Sequence, residues 1–192
     1  MTLLSRALHP WLAAIALAAA PAAAYADRPA PNCAARDGRH DFDQRAGDWR
    51  VQHRKLKQFL AGSHDWITFD GTLSLRLVLG GLGNVSDNVF NVPGGAYRGV
   101  SLRAYDAKSG QWATWWLDGR NPFGELDPPM KGCFENGSAT FYGSESFQGK
   151  TVRVRVIWSQ LSASAARWEQ AFSVDGGATW EVNWISEFRR AP

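Results

Sequence analysis

The chain has 192 residues, of which 45% are hydrophobic and 20% are charged, and its formal net charge is +3 at pH 7. This length and composition suit one globular domain around one hydrophobic core. No run of basic residues stands out, so charge gives no reason to expect a nucleic acid or an anionic membrane surface as a partner.

Residues 1–26 have the pattern of an export signal. An Ala-rich apolar run extends from Trp11 to Ala24, and Ala24-Tyr25-Ala26 offers small residues at the positions that a signal peptidase requires. The run is shorter than the roughly 20 apolar residues of a transmembrane helix, and no second run of that length follows. The sequence therefore predicts a periplasmic or secreted protein with no transmembrane segment after signal cleavage, and an uncleaved anchor is the alternative.

Residues 27–39 are rich in Pro, Arg and Ala, which is typical of a flexible tail. The chain has two cysteines, Cys33 in this tail and Cys133 near mid-chain. Cysteines can pair in an oxidising compartment, and no histidine lies close to either one to suggest catalysis or zinc. We expect a disulfide between them, although the sequence also allows two free thiols.

From residue 40 to residue 190 the dominant pattern has a period of two, which predicts β-strands. About ten short segments, from WRVQHRKLKQFL to TWEVNWISEFR, alternate with turn signals such as LGGLGN, PGG and DGG. One short helical turn is expected at HDFDQRAGDW. Successive hairpins favour a single antiparallel up-and-down β-barrel of eight to ten strands, with a β-sandwich as the alternative, because a closed barrel leaves no strand edge exposed.

Gly47-Asp48-Trp49 opens the first predicted strand, and Arg189 lies near the end of the last one. This pairing resembles the calycin superfamily, the lipocalins and their relatives. The segments WITFDGTLSLRLVLGGLGNVSDN, WWLDGRNP and WEQAFSVDGGATWEVNW are similar to a bacterial lipocalin-like family, domain of unknown function 1579 or a close relative. The resemblance implies a calycin-type barrel in which a basic residue at the end of the last strand, Arg189 or the adjacent Arg190, stacks on Trp49 to close the base, and it implies no particular reaction.

Several predicted strands place tryptophans beside charged residues on one face. If such a face points inward, it forms an aromatic cavity with a few polar anchors, which is typical of a small-molecule site. The alternative is a solvated outer face, which antiparallel sheets commonly have. The candidate wall residues are Trp66, Trp115, Trp116, Trp168 and Trp184, and the candidate anchors are Arg103, Asp118, Arg120 and Glu169.

These residues predict a protein that binds a small molecule, either apolar or amphipathic with a polar end. We expect no metal and no cofactor, because His40, His53 and His64 are not spaced as metal ligands and no histidine follows them. One alternative is a hydrolase or isomerase that uses Asp118 and Glu169 on a lipid-, terpenoid- or sugar-like substrate. Another is an interaction module with a filled barrel, and the sequence leaves a homodimer open.

The stretch SVDGGATW, residues 173–180, resembles the Asp-box of sialidases. It occurs once, in a chain much shorter than a sialidase. It therefore predicts a hairpin between the last two strands, in which Asp175 bonds to its own turn and Gly176 and Gly177 take positive φ. Trp180 is expected to fold back beneath the turn.

Overall fold

A computed structural model describes residues 33–192 of the chain, so the expected export signal at 1–26 and residues 27–32 lie outside the described part. Within that part, no helix has the length and apolarity to cross a membrane. Short 3-10 turns occur at Cys33–Ala35, Asp43–Arg45 and Leu79–Gly81. The ten strands are β1 (Gly47–Leu56), β2 (Trp66–Val78), β3 (Gly83–Phe90), β4 (Tyr97–Asp106), β5 (Gln111–Asp118), β6 (Met130–Glu135), β7 (Ser138–Phe147), β8 (Lys150–Ser159), β9 (Ala165–Ser173) and β10 (Glu181–Arg190).

The strands form one closed antiparallel barrel in which every strand pairs with its neighbours along the chain. The ring closes where β1 pairs with β10 over seven register positions, from Trp49↔Arg190 to Lys55↔Trp184. The predicted up-and-down barrel is therefore confirmed, at ten strands, and the sandwich alternative is excluded. Closure satisfies the backbone groups that the two edge strands of an open sheet would leave unpaired.

Alternation along β1 defines which face of the sheet is inside. Trp49, Val51 and His53 are buried, whereas Arg50 and Gln52 between them are exposed. Side chains on a strand point alternately to opposite faces, and residues paired across neighbouring strands share a face. The register of each pair of strands therefore identifies the inward residues of every strand in turn.

One end of the barrel is filled by a hydrophobic group that we call the floor cluster. Phe42, from the segment before β1, is 1% exposed and inserts into this end as a plug. Its ring meets Trp112 and Phe134 edge-on, with centroid distances of 4.9 and 5.0 Å. The floor cluster comprises Phe42, Trp49, Val51, Leu73, Leu75, Tyr105, Trp112, Phe134, Ala139, Phe141, Val156, Trp158, Ala166 and Phe188.

Two guanidinium groups stack on Trp49 beneath the floor cluster. The Arg45 and Arg190 carbons Cζ lie 3.8 and 4.0 Å from the indole centroid. Of the two arginines at the end of the last strand, Arg190 makes the expected contact, whereas Arg189 alternates onto the outer face and is exposed. Gly47 has a φ of +114°, and a Cβ there would lie 2.7 Å from Arg190 Nη1, so glycine leaves room for the stacked arginine.

The N-terminal segment is attached to the base of the barrel rather than free. Cys33 and Cys133 form a disulfide. The Gly38 N–H donates to the Tyr105 hydroxyl at 2.8 Å, and the Trp112 Nε1–H donates to the Gly38 carbonyl at 3.1 Å. The described part of the expected tail, residues 33–39, is therefore ordered by long-range bonds that its local composition does not reveal.

The β9–β10 turn is built around Asp175. Its carboxylate accepts hydrogen bonds from the Thr179 N–H at 2.9 Å and the Thr179 hydroxyl at 2.6 Å. These bonds hold the pKa of Asp175 well below its usual range. Gly176 and Gly177 have φ of 75° and 102°, and the Trp180 ring lies against Gly177. The Asp-box here is a turn that sets the register of two strands.

Candidate functional site

The half of the barrel away from the floor cluster is lined by inward side chains that still reach solvent. Trp116, on the inner face of β5, is 39% exposed, and Trp168 and Trp184 are only partly buried. An inward side chain can gain such exposure from the open end of the barrel, from a gap in its wall or from space inside. We call this half the upper chamber; its inward residues include Lys55, Phe69, Phe90, Tyr97, Trp116, Asp118, Glu145, Trp168, Gln170 and Trp184.

Trp184 lies at the centre of the aromatic wall of the upper chamber. Its ring centroid is 5.5 Å from Phe90 and 5.9 Å from both His53 and Trp168. The Lys55 ammonium lies 3.9 Å from the same indole, on the side toward the mouth. Four strands thus bring aromatic rings into contact with one another on the inner face of the barrel.

A gap in the barrel wall lies beside Trp116. β5 pairs with β6 only over Trp112–Thr114, although β5 continues to Asp118. The indole of Trp116 lies against Gly99 on β4, where an added Cβ would be 2.2 Å from the ring. Glycine at this position therefore allows the ring to lie flat along the wall at the edge of the gap.

Charged groups surround the mouth of the upper chamber. The Arg120 Nε donates to Asp118 Oδ1 at 2.9 Å, and the Arg120 Cζ lies 4.2 Å from the Tyr97 ring centroid. Hydrogen bonding to Arg120 lowers the pKa of Asp118. Burial lowers the pKa of Lys55 to about 8 and raises that of Glu145 to about 7. The mouth therefore carries both signs of charge around an apolar interior.

His53 lies at mid-height on the inner face and was not expected as a site residue. Its Nδ1 is 2.8 Å from Ser186 Oγ, and the Trp184 Nε1–H donates to the same nitrogen at 3.3 Å. Burial lowers the pKa of His53 to about 4, so the ring is neutral at pH 7. Its alternation with Val51 and Trp49 was the signal in the sequence that could have placed it inside.

Arg103 is a buried guanidinium just above the floor cluster. It is 4% exposed, and its Cζ lies 5.2 Å from the Phe42 ring and 5.8 Å from the Trp158 ring. Its Nη1 donates to Asn84 Oδ1 at 2.9 Å and to Ser86 Oγ at 3.3 Å. No carboxylate of residues 33–192 forms an ion pair with it. Burial lowers the pKa of Arg103 to about 10, so it stays charged at neutral pH.

The structure brings most of the predicted ligand residues to the interior. Arg103, Trp116, Asp118, Trp168 and Trp184 share the inner face. Arg120 follows the end of β5 and joins them at the mouth through Asp118.

Three predicted ligand residues lie on the outer face, so their assignment to the cavity is corrected. Trp115 alternates with inward Trp116, and Glu169 alternates with inward Trp168. Glu169 pairs with Arg167 at 3.1 Å on that outer face. Trp66 is outward at the start of β2, with its ring 5.2 Å from the Arg54 guanidinium.

The predicted acid/base pair of Asp118 and Glu169 is also corrected. The two carboxylates point to opposite faces of the sheet, and three strands separate β5 from β9 around the barrel. They cannot act on one substrate in the way that the sequence suggested. Within residues 33–192, no three His, Cys, Asp or Glu side chains are grouped as a metal site.

Comparison with known proteins gives the fold. No family model and no curated protein matches the chain. It is similar in structure to the S-type phycobiliprotein lyase CPES of Guillardia theta, with 7% identity and a TM-score of 0.57 over 83% of this chain and 96% of that one. A protein of unknown function from the DUF3598 family of Nostoc punctiforme is 12% identical with a TM-score of 0.47 over 86% of this chain and 51% of its own, too low to carry an argument. The likeness shows the fold alone: the chain is a lipocalin-like ten-stranded barrel.

Proposed function

We propose that the protein binds an apolar or amphipathic small molecule in the upper chamber. The observation that carries this proposal is the aromatic inner wall of Trp116, Trp168 and Trp184, which is only partly buried by the protein itself. Apolar surface left in contact with water costs about 25 cal/mol per Å². A ligand that covers this wall recovers that free energy, and the mixed charges at the mouth suit a polar end.

We also propose that the protein is exported, to the periplasm or the medium. The signal pattern of residues 1–26 supports this location. The disulfide between Cys33 and Cys133 supports it independently, because disulfides persist mainly in oxidising compartments. We propose separately that the chain is related to domain of unknown function 1579, and this rests on the sequence segments alone.

The alternatives have less support. The enzyme hypothesis depended on Asp118 and Glu169, which lie on opposite faces of the sheet. An interaction module with a filled barrel requires packing throughout the interior. The floor cluster fills one end, and a second cluster of Val152, Val154 and Phe172 packs against Phe59 and Leu60, but the inward Trp116 is still 39% exposed. The similarity to a phycobiliprotein lyase supports the fold but does not identify a ligand.

Two neighbouring tryptophans provide a matched test. Trp116 faces the upper chamber and Trp115 faces outward on the same strand. N-phenyl-1-naphthylamine is a neutral aromatic probe whose fluorescence rises on leaving water. We expect Trp116→Ala to weaken its binding about tenfold, which corresponds to about 1.4 kcal/mol, and Trp115→Ala to leave it unchanged. Failure of the wild-type protein to bind the probe, or equal effects of the two variants, would overturn the proposal.

A further inference from the structure

The charge of Arg103 is not balanced within the described chain. Its guanidinium is 4% exposed on the inner face of β4 and has no carboxylate partner among residues 33–192. Removing a cation from water is costly unless a counter-ion or a full set of acceptors replaces the water. The only acceptors for Arg103 among the described residues are two neutral side chains, Asn84 and Ser86. An anionic group in contact with Arg103 would balance this charge.

The unsatisfied atoms around Arg103 are all hydrogen-bond donors. Its Nη1 makes both of its hydrogen bonds, and its Nε is buried without an acceptor. Arginine only donates, so Asn84 must accept through Oδ1, and this leaves Asn84 Nδ2 as a second buried donor without an acceptor. Two hydrogen-bonded neighbours thus each carry a buried donor without an acceptor. The site is complementary to a group that offers acceptors and negative charge.

We infer that Arg103, with Asn84 and Ser86, binds the carboxylate of an amphipathic monoanion whose apolar body occupies the upper chamber. This inference rests on the function proposed above. The edge of Arg103 formed by Nε and Nη2 makes no hydrogen bond within the described residues, and its planar fork matches the two oxygens of a carboxylate. A water molecule would accept hydrogen bonds from these donors but would leave the positive charge of Arg103 unbalanced. A dianionic phosphate would need a second cation beside Arg103, but Lys55 and Arg120 lie at the mouth of the barrel.

The position of Arg103 also sets the length of the ligand. The guanidinium packs on Phe42 and Trp158, so it lies directly above the floor cluster that contains Trp49. From Trp49 to Lys55 near the mouth, β1 rises about 20 Å at 3.3 Å per residue. At a strand tilt of about 40° this is about 15 Å along the barrel axis. The guanidinium lies above Trp49, so its distance to the mouth is less than about 15 Å, and a linear amphiphile such as dodecanoate is long enough to span it.

Isothermal titration with dodecanoate and dodecan-1-ol tests this inference. We expect the wild-type protein to bind the acid at least tenfold more tightly than the alcohol. Arg103→Met should remove this preference while leaving the binding of the alcohol unchanged. Arg98→Met is the matched control, because Arg98 lies on the outer face of the same strand and pairs with Asp87; it should behave as wild type.

The outcomes separate the two proposals. Equal binding of acid and alcohol by the wild-type protein overturns the carboxylate site and leaves the proposed function standing. An acid preference that survives in Arg103→Met overturns the assignment to Arg103. Failure of the wild-type protein to bind dodecan-1-ol and N-phenyl-1-naphthylamine overturns the proposed function itself. If circular dichroism shows that Arg103→Met is unfolded, the wild-type comparison between 8-anilinonaphthalene-1-sulfonate and N-phenyl-1-naphthylamine, which differ only in the anionic group, decides for or against an anion site.

Discussion

Replacing His53 by glutamine should change how the stability of the barrel depends on pH. Burial lowers the pKa of His53 to about 4 in the folded state, against 6.5 in an unfolded chain. Below pH 6.5 the unfolded chain therefore takes up a proton that folded His53 refuses, and stability falls as the pH decreases toward 4. Between pH 7 and pH 5 the loss is about 2 kcal/mol, at about 1.4 kcal/mol per unit of pKa difference.

Glu145 acts in the opposite direction over the same range. Its pKa is raised to about 7 by burial, so the folded state holds its proton more tightly than the unfolded state, and this contribution is lost as the pH rises from 4.5 toward 7. The pH dependence of the wild-type protein alone therefore mixes the two groups. Subtracting the His53→Gln curve from the wild-type curve isolates His53, because Glu145 is present in both.

Urea unfolding at pH 7 and pH 5 measures this difference. The free energy of unfolding of the wild-type protein relative to His53→Gln should fall by about 2 kcal/mol between the two values. His64→Gln is the control, because His64 is exposed and should leave the pH dependence unchanged. If the difference in free energy of unfolding between the wild-type protein and His53→Gln does not depend on pH, the ring is not held neutral inside the barrel.

Three further substitutions test other parts of the structure. Replacing Cys33 and Cys133 by serine should cost up to about 4–5 kcal/mol through loop-closure entropy, seen as a lower Tm, and an unchanged Tm would contradict a disulfide in the folded protein. Trp49→Ala should lower the free energy of unfolding in urea by about 3–5 kcal/mol, because Trp49 belongs to the floor cluster, and a decrease below about 1 kcal/mol would contradict that position. Gly99→Ala should displace the Trp116 indole, lower stability by about 1–3 kcal/mol and weaken binding of N-phenyl-1-naphthylamine; unchanged binding would contradict the contact.

The barrel could be predicted from the sequence because alternation and short turns are local signals. A period of two shows that a strand has two faces, but it does not show which face is inside. Trp115 and Trp116 are adjacent and equally apolar, and only the register of β5 against Gly99 and Ser101 assigns Trp116 to the interior. The same reason explains why Glu169 was placed inside in the prediction and lies outside in the structure.

Long-range contacts account for the remaining differences. Arg103 was a predicted anchor, but its two partners lie on the neighbouring strand and depend on the β3–β4 register. Arg190 rather than Arg189 stacks on Trp49, a difference of one residue at a strand end. Residues 33–39 have the composition of a tail and are fixed by bonds to Tyr105, Trp112 and Cys133, which are 67 to 100 positions away in the chain.

The central claim is that the upper chamber holds a small molecule in the native protein. Native mass spectrometry of the protein purified from its own host measures this most directly, with extraction and identification of whatever travels with it. We expect a mass above that of the polypeptide, released on denaturation as an apolar or amphipathic compound, and a smaller bound fraction in Trp116→Ala at the same concentration. A wild-type protein that carries no compound and gives no fluorescence response to N-phenyl-1-naphthylamine would contradict the account.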